Sequence, residues 1–392
     1  MSGSSGLFLR FELVLRPSAR SLEAQEDAIS MKYLAVTASL VACALAPNTR
    51  AGTPTFQVIE LEGAGLDIPT QVSANYVAGQ LGSDPVVWDL QTGLLLNNLS
   101  GLVGTQGSIF LAINDSGAVT GNVANNAFVW SQANGLTMLP TGFHPSDINN
   151  NDVIVGYYNT HPSRWDATNG VQELNLIQGY TNTINDNDVV GGQSSGLAAI
   201  WVGGVESLVP FDIPPGFSFV ADINDNGIAV GKYAGTIAYQ WDINTTVDAT
   251  PISLPSYLGN GLPRGLNNDG LIIASGTDPG TSDPSAALFV PTEGWIALNN
   301  VLPGAPIVDI TPPNEEGWFG YFTFSGGYLA RRADPCPNLD GTGTVDLNDL
   351  SIVLFNFGNT GLPGIPGDAN LDGVVDLADL SAVLFAFGTS PC

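Results

Sequence analysis

Between Gly52 and about Ala333, short apolar, β-branched or aromatic runs alternate with clusters of Gly, Asn, Asp and Ser. Runs of this kind read as strands, and the clusters read as the turns that join them. The pattern recurs. One unit reads Ile113-Asn114-Asp115-Ser116-Gly117, then Ala118-Val119-Thr120-Gly121, then Ala127-Phe128-Val129-Trp130, then Gly135-Leu136 and Leu139. The next keeps Ile148-Asn149, Gly156, Trp165 and Leu174, and the third Ile184-Asn185, Gly191, Trp201 and Leu208. Two more keep Ile223-Asn224, Gly231, Trp241 and Leu254, then Leu266-Asn267, Gly270, Ala274, Leu288-Phe289 and Leu298. The marked asparagines are 35, 36, 39 and 43 residues apart. Degenerate copies at 72–96 (Gly79, Trp88) and 310–331 (Gly320, Tyr328) bring the total to about seven units.

A unit of this length holds three or four short strands, and the period with its recurring Trp and Gly predicts a β-propeller blade. The expected fold is therefore mainly β, a seven-bladed β-propeller over 52–333. The run Phe56-Gln57-Val58-Ile59-Glu60-Leu61 precedes the first unit. It reads as a lone strand that completes the last blade and closes the ring, so that no sheet edge is left open. The tryptophans at 88, 130, 165, 201 and 241 recur once per unit and are expected as inter-blade core rather than as a sugar platform. The Asn-Asp runs are expected as turns. Asp222, Asn224, Asn226 and Gly227 open like a calcium loop but lack carboxylates at its ninth and twelfth positions.

After about residue 334 the period changes. Val345 to Gly358 reads VDLNDLSIVLFNFG and Val375 to Gly388 reads VDLADLSAVLFAFG, with 11 of 14 residues identical at an offset of 30. Leu347, Leu350, Val353, Leu354 and Phe357 fall at helical spacing, as do Leu377, Leu380, Val383, Leu384 and Phe387, and Gly358 and Gly388 stand where a helix ends. Each predicted helix follows an acidic loop. Calcium takes six to eight oxygens from positions 1, 3, 5, 7, 9 and 12 of such a loop, with Gly at 6 for the sharp turn. In the first loop these are Asn338, Asp340, Thr342, Thr344 through its carbonyl, Asp346 and Asp349, with Gly343 at the turn. In the second they are Asp368, Asn370, Asp372, Val374 through its carbonyl, Asp376 and Asp379, with Gly373 at the turn. Two Ca2+ sites are expected. The second, with four carboxylates against three, is expected to bind more tightly. Neither helix can bury its stripe alone, so the two should pack antiparallel. Cys336 before the first loop and Cys392 at the end of the chain would then lie close together, where a disulfide would clamp a small all-α pair.

The paired loop-helix repeats resemble a type I dockerin, with its D-x-N-x-D-G-x-V-D-x-x-D pattern. The flanking cysteines resemble the anchoring variant at the C-termini of planctomycete-type secreted proteins. The resemblance covers about 334–392. It implies an EF-hand-like module that docks onto a partner, as dockerins do on cohesins. Positions 10 and 11 of the loops are Leu347 and Asn348, then Leu377 and Ala378, where cellulosomal dockerins usually carry small polar or basic pairs. The implied partner is a cohesin-like or other surface protein. The middle repeats resemble the bacterial extracellular repeats named for a His-Ala-Phe tripeptide, here Asn126-Ala127-Phe128. That resemblance covers about 280 residues and implies a propeller-like fold with no shared activity.

Composition narrows the setting. The chain has 392 residues with 47 Gly and 26 Pro, only 12% charged residues, and a net charge of −27. Met31 to Ala51 reads as a secretory signal: Lys32, an apolar run from Tyr33 to Ala46, then Thr49-Arg50-Ala51 as the cleavage site. Leu40-Val41-Ala42-Cys43 also matches a bacterial lipoprotein box, but the cleavage site that follows is preferred. Residues 1–30 are an upstream-start artefact or a long n-region. Residues 1–51 hold five of the 10 basic and four of the 37 acidic residues, so the remainder carries about −28. Nucleic acid and anionic membrane are poor partners for such a surface. No apolar run beyond Ala51 is long enough for a membrane helix. The expected division is 1–51 as extension and signal, 52–333 as propeller and 334–392 as calcium module, at the cell surface or secreted.

Three functions fit this division. The preferred one is a non-catalytic binding or structural component of an extracellular assembly. The alternatives are a polysaccharide-active enzyme carrying a dockerin and a carbohydrate-binding propeller. His144 and His161 have no Cys or nucleophile pattern around them. Glu60, Glu173, Glu206 and Glu293 are the carboxylates a glycoside-cleaving reading would draw on, since such pairs are recognised by separation in space.

Overall fold

The computed structural model describes residues 54–63, 67–104, 110–123, 126–211, 216–245, 247–333 and 336–389. The expected signal at 31–51, the Cys43 box and Cys392 lie outside the described residues. Seven antiparallel four-stranded sheets follow one another along the chain. Blade 1 spans 67–98, blade 2 spans 110–138, blade 3 spans 143–173 and blade 4 spans 179–208. Blade 5 spans 219–251, blade 6 spans 262–297, and blade 7 is built from Ile307–Ile310, Trp318–Thr323 and Gly326–Arg332. Its fourth strand is Phe56–Glu60, running antiparallel to Gly326–Arg332 with Val58 opposite Ala330. The seven expected blades and the expected closing strand are both present.

Each blade folds for the same local reasons. In blades 2 to 7 the turn after the first strand ends in a left-handed residue: Gly117, Gly227, Gly270 and Gly317, with Asp152 and Asp188 in blades 3 and 4. Glycine reaches that region without strain, and aspartate is one of the few others that tolerates it. Most first strands carry a bulge, for example between Pro145 and Asp147 and between Val220 and Asp222. In blades 1, 3, 4 and 5 the residue facing the bulge is a glycine with no room for a side chain. A Cβ on Gly156 would lie 2.0 Å from the His144 carbonyl oxygen, and one on Gly192 would lie 2.2 Å from that of Tyr180. In blade 4 this is Gly192 rather than Gly191, the residue marked by the repeat.

The core lies between blades. Trp88 packs with Trp318 and Leu329 across the junction of blades 1 and 7, and Trp201 packs with Val153 and Val155 across blades 3 and 4. Trp241 meets Val189 and Ile200 across blades 4 and 5. Trp88, Trp130, Trp201 and Trp241 are buried, and Trp165 is half-buried.

The repeated asparagine does more than form a turn. Asn114 Nδ2 donates to the Asn149 carbonyl at 3.0 Å, Asn149 to Asn185, Asn185 to Asn224, Asn224 to Asn267, Asn267 to Asn314, and Asn314 to the Ser73 carbonyl at 2.8 Å. This chain of amides runs from blade 2 round to blade 1. Each Oδ1 meanwhile accepts N–H groups of its own turn, as Asn185 does from Asn187 and Val189. The aspartates at 152 and 188 add an acceptor for the preceding Asn at 2.8 Å.

Replacing Asn185 by Ala removes the inter-blade bond to the Asn224 carbonyl, which keeps its Gly227 N–H, and strands two turn N–H groups. Unfolding in urea, followed by tryptophan fluorescence, should show a loss of about 2–4 kcal/mol. Asn187→Ala, which removes only a solvent-exposed bond to the Asp225 carbonyl, should cost under about 1 kcal/mol. Equal losses would mean that the ring bond has no special weight.

Candidate functional site

Two places gather chemistry: the C-terminal loops and the central channel.

The C-terminal helices are Leu347–Asn356 and Leu377–Ala386. Asp346 caps the first by accepting the Asn348 N–H, while Asp349 accepts the Asp346 N–H; Asp376 and Asp379 repeat this at the second. Such a capping box satisfies two N–H groups that would otherwise be orphaned at the helix start. Val345 exchanges backbone bonds with Gly388 and Thr389, and Val375 with Gly358 and Asn359. Each helix start therefore adjoins the other's end, which sets the pair antiparallel. Val345, Val353, Val375, Leu380 and Val383 form its core. The rest of the expected stripe is not buried: Leu347 is 67% exposed and Leu354 56%, with Phe357, Leu384 and Phe387 also exposed. Two short helices have too few neighbours to cover five apolar positions each.

In the first loop Asp340, Asp346 and Asp349 bring carboxylate oxygens within 4.8 Å of one another. Oxygens each about 2.4 Å from one calcium ion can stand at most about 4.8 Å apart, so this donor set fits the ion. Asp349 is fully buried and also accepts N–H bonds from Leu339 and Asp340. The Thr342 N–H and hydroxyl hold Asp340 below the usual carboxylate range. With its amide turned to satisfy both ends, Asn338 accepts from Gly343 N–H at 3.0 Å. Thr344 lies exposed in the loop.

The second loop is arranged differently. Asp368 is 2% exposed, and its carboxylate accepts N–H bonds from Gly364, Asp372 and Gly373. Asn370 donates to Asp372 at 3.0 Å, and Asp372 accepts the Val374 N–H. Burial, with added repulsion from Asp368 and Asp372, raises the Asp379 pKa against N–H bonds from Asp376 and Asn370. Among the described residues, acidic oxygens are gathered to metal-ligand spacing in the first loop, although the second has more carboxylates. Cys336 is in disulfide linkage; its expected partner, Cys392, is outside the described residues.

The central channel has a volume of about 660 Å³ and is lined by the first strands and their turns. A buried carboxylate, Asp147, and a half-buried one, Asp222, stand in it. Asp147 accepts from Gln71 Nε2 and from the N–H groups of Ile148 and Ile184. Asp222 accepts from the Thr183 hydroxyl and the N–H groups of Ile223 and Leu266. Burial raises the Asp147 pKa to about 7 in spite of its three donors, and it raises that of Asp222 too. Asp115, Asp186, Asp225 and Glu315 stand on the turns that rim the channel. Phe219 is the aromatic residue among the described lining residues.

The carboxylates and histidines singled out from sequence do not converge on this channel. Glu173 lies 3.3 Å from His161, Glu206 accepts from Asn175, Glu293 pairs with Arg332 at 3.1 Å, and Glu60 is exposed on the closing strand. His144 stacks on Tyr157 at 4.5 Å. Asp147 escaped notice. The available signal was the repeated Asp-Ile before an Asn turn, at Asp147-Ile148-Asn149 and Asp222-Ile223-Asn224.

No family model matches the chain, and no curated protein matches it. Solved structures do. Streptogramin B lyase superposes with a TM-score of 0.54 at 12% identity, over 71% of this chain and 98% of that one. The Cps50 (Swd1) β-propeller domain of Myceliophteria thermophila gives 0.52 at 9% identity, over 71% and 99%. Virginiamycin B lyase from Staphylococcus aureus gives 0.51 at 10% identity, over 70% and 98%. At such identities the likeness is one of fold.

Asp147 ties stability to pH. Its folded pKa of about 7 lies above the ordinary aspartate value of 3.8, so between these values the folded state holds a proton that the unfolded chain has lost. Stability should therefore be highest below pH ~4 with respect to this group and fall as pH rises toward ~7, by an amount on the order of 4 kcal/mol. Asp147→Asn should flatten the slope of unfolding free energy between pH 4 and 7. An unchanged slope would show that Asp147 stays ionised when folded.

Proposed function

We propose that this protein is an exported, calcium-binding β-propeller, held in an extracellular or cell-surface assembly through a dockerin-like C-terminal module. The observation that carries this reading is a matched pair of exposed aromatics. Phe355 is 92% exposed and Phe385 84%, at equivalent positions of the two helices, beside exposed Leu354 and Leu384. Side chains of this size in such a small module lose free energy by facing water, and exposed apolar clusters mark binding faces. The duplicated sequence would present the same face twice.

Three features support the calcium assignment: the fit of both loops to the twelve-residue pattern, the first loop's gathered carboxylates, and the Asp349 and Asp379 carboxylates fixed by backbone N–H groups. Asn338, Asp340, Thr342, the Thr344 carbonyl, Asp346 and Asp349 would hold one ion. Asp368, Asn370, Asp372, the Val374 carbonyl, Asp376 and Asp379 would hold the other. Bound calcium would supply positive charge that relieves repulsion among the carboxylates and draws the loops together. A Cys336–Cys392 disulfide would join the ends of the module. The partner that fits is a protein with an apolar strip flanked by basic side chains, complementary to a chain of net charge −27. The propeller would then be the cargo, offering its channel and rim to the assembly.

The test is capture from the source organism's envelope fraction with the full chain as bait. A specific protein should be retained in calcium, released by a chelator, and lost with the double substitution Phe355→Ser and Phe385→Ser. Retention that ignores both calcium and the two phenylalanines would contradict the proposal.

A further inference from the structure

Fourth strands of a propeller lie on its outer rim, and here they are mostly exposed or half-buried, with Ile296 as the buried exception. The closing strand differs. Phe56 is 2% exposed and Val58 6%. These side chains face the blade 6 and 7 core, where Phe56 meets Phe319, and the segment between the two C-terminal helices adds cover from outside. Pro363 accepts the Val58 N–H at 3.0 Å, Leu362 packs against the blade 6 and 7 core that contains Phe56 and Val58, and a Cβ on Gly364 would lie 2.9 Å from Gln57 Cγ. An outer-edge N–H is thereby paired, and the seam where the two ends of the propeller chain meet is covered.

The same segment is tied at its other face to the second loop. Gly361 N–H donates to the Gly373 carbonyl at 2.8 Å, and Thr360 bridges to Val374. Gly364 N–H donates to Asp368 Oδ2 at 2.9 Å, and that oxygen also accepts the Gly373 N–H. One strap, residues 360–368, is thus bonded to the first ligand and the turn glycine of the second loop, and to the closing strand of the propeller. The propeller and the C-terminal module share this strap.

We propose that calcium in the second loop acts as a latch on the propeller seam, ordering the strap and so stabilising ring closure. This rests on the calcium reading given above. An ion that binds only the folded loop stabilises whatever must be ordered with it, and here that includes the strap held on Val58. Among the described residues no such strap joins the first loop to the closing strand, so an ion there should not act in this way.

The propeller can be followed alone, because all seven tryptophans lie between Trp88 and Trp318. Calorimetry of the full chain measures calcium binding, and thermal unfolding followed by tryptophan fluorescence measures the seam. With two ions bound, the tryptophan midpoint should rise by about 2–4 °C in calcium over chelator. Asp379→Asn should abolish that rise, whereas Asp349→Asn should weaken binding at the first loop and leave most of it. Leu362→Ser should lose most of the rise while still binding two ions. If it fails to fold, the two aspartate variants decide. Two ions bound with an unmoved tryptophan midpoint would overturn the latch and leave the calcium reading intact. A flat calorimetric titration would overturn both. A rise lost equally in both aspartate variants would overturn the assignment to the second loop.

Discussion

An amide side chain reaching the next blade's turn carbonyl is the contact on which this ring depends. Packing between blades is apolar and adaptable, and would tolerate a range of blade angles. The hydrogen bond from each marked Asn is directional, and the same amide oxygen fixes the turn from which the next strand begins. Local turn geometry and inter-blade geometry are thus set by one side chain. The backbone N–H of the next residue repeats the link on the rim, as Asp115 does to Asn150, Asn150 to Asp186, and Asp186 to Asp225. The channel and its carboxylates stand directly beneath these turns, so their positions follow from the ring.

A closed ring made from one linear chain has a seam, and the seam is where this fold is most open to loosening. Blade 7 is completed by a strand from the other end of the propeller chain, as the edge argument requires. The amide chain crosses at the same junction, from Asn314 to Ser73. Blade 1 has Ser73 in place of the asparagine, and instead of an amide link of its own it sends Asn75 Nδ2 to the Asp115 carbonyl. The strap from the helix pair covers the outer side of this junction. Three different contacts thus reinforce the one place where sequence continuity cannot.

Much of this was legible in the sequence because repetition amplifies weak signals. Asn114, Asn149, Asn185, Asn224 and Asn267 recur with Gly and Trp at set distances, which was enough for blade number, turn position and the buried tryptophans. Their inter-blade bond was not legible, since its acceptor is a backbone carbonyl and carries no residue signature. Asp147 and Asp222 were hidden for a related reason: their roles come from burial beneath a bulge, which composition does not encode. The helix stripes at Leu347–Phe357 and Leu377–Phe387 were read as buried because helical spacing marks an apolar face without saying whether a neighbour exists to cover it. The strap at 360–368 has no periodicity, and its contact with Val58 joins residues some 300 positions apart. The two acidic loops at 338–349 and 368–379 were the reverse case, in which residue types at fixed spacing carried the calcium expectation before any geometry.

Seven blades held by these amides should behave as one hydrogen-bonded ring rather than as a string of repeats. Hydrogen exchange reads this at the amides of Ala118, Val153, Val189, Ile228, Leu271 and Trp318, each of which donates to the ring asparagine of its own blade. If the ring holds as a unit, all six should exchange together, only through global unfolding, and with one common free energy. Rates that step from blade to blade, as in repeats that unfold one by one, would show that the blades open separately and that the ring bond does not unite them.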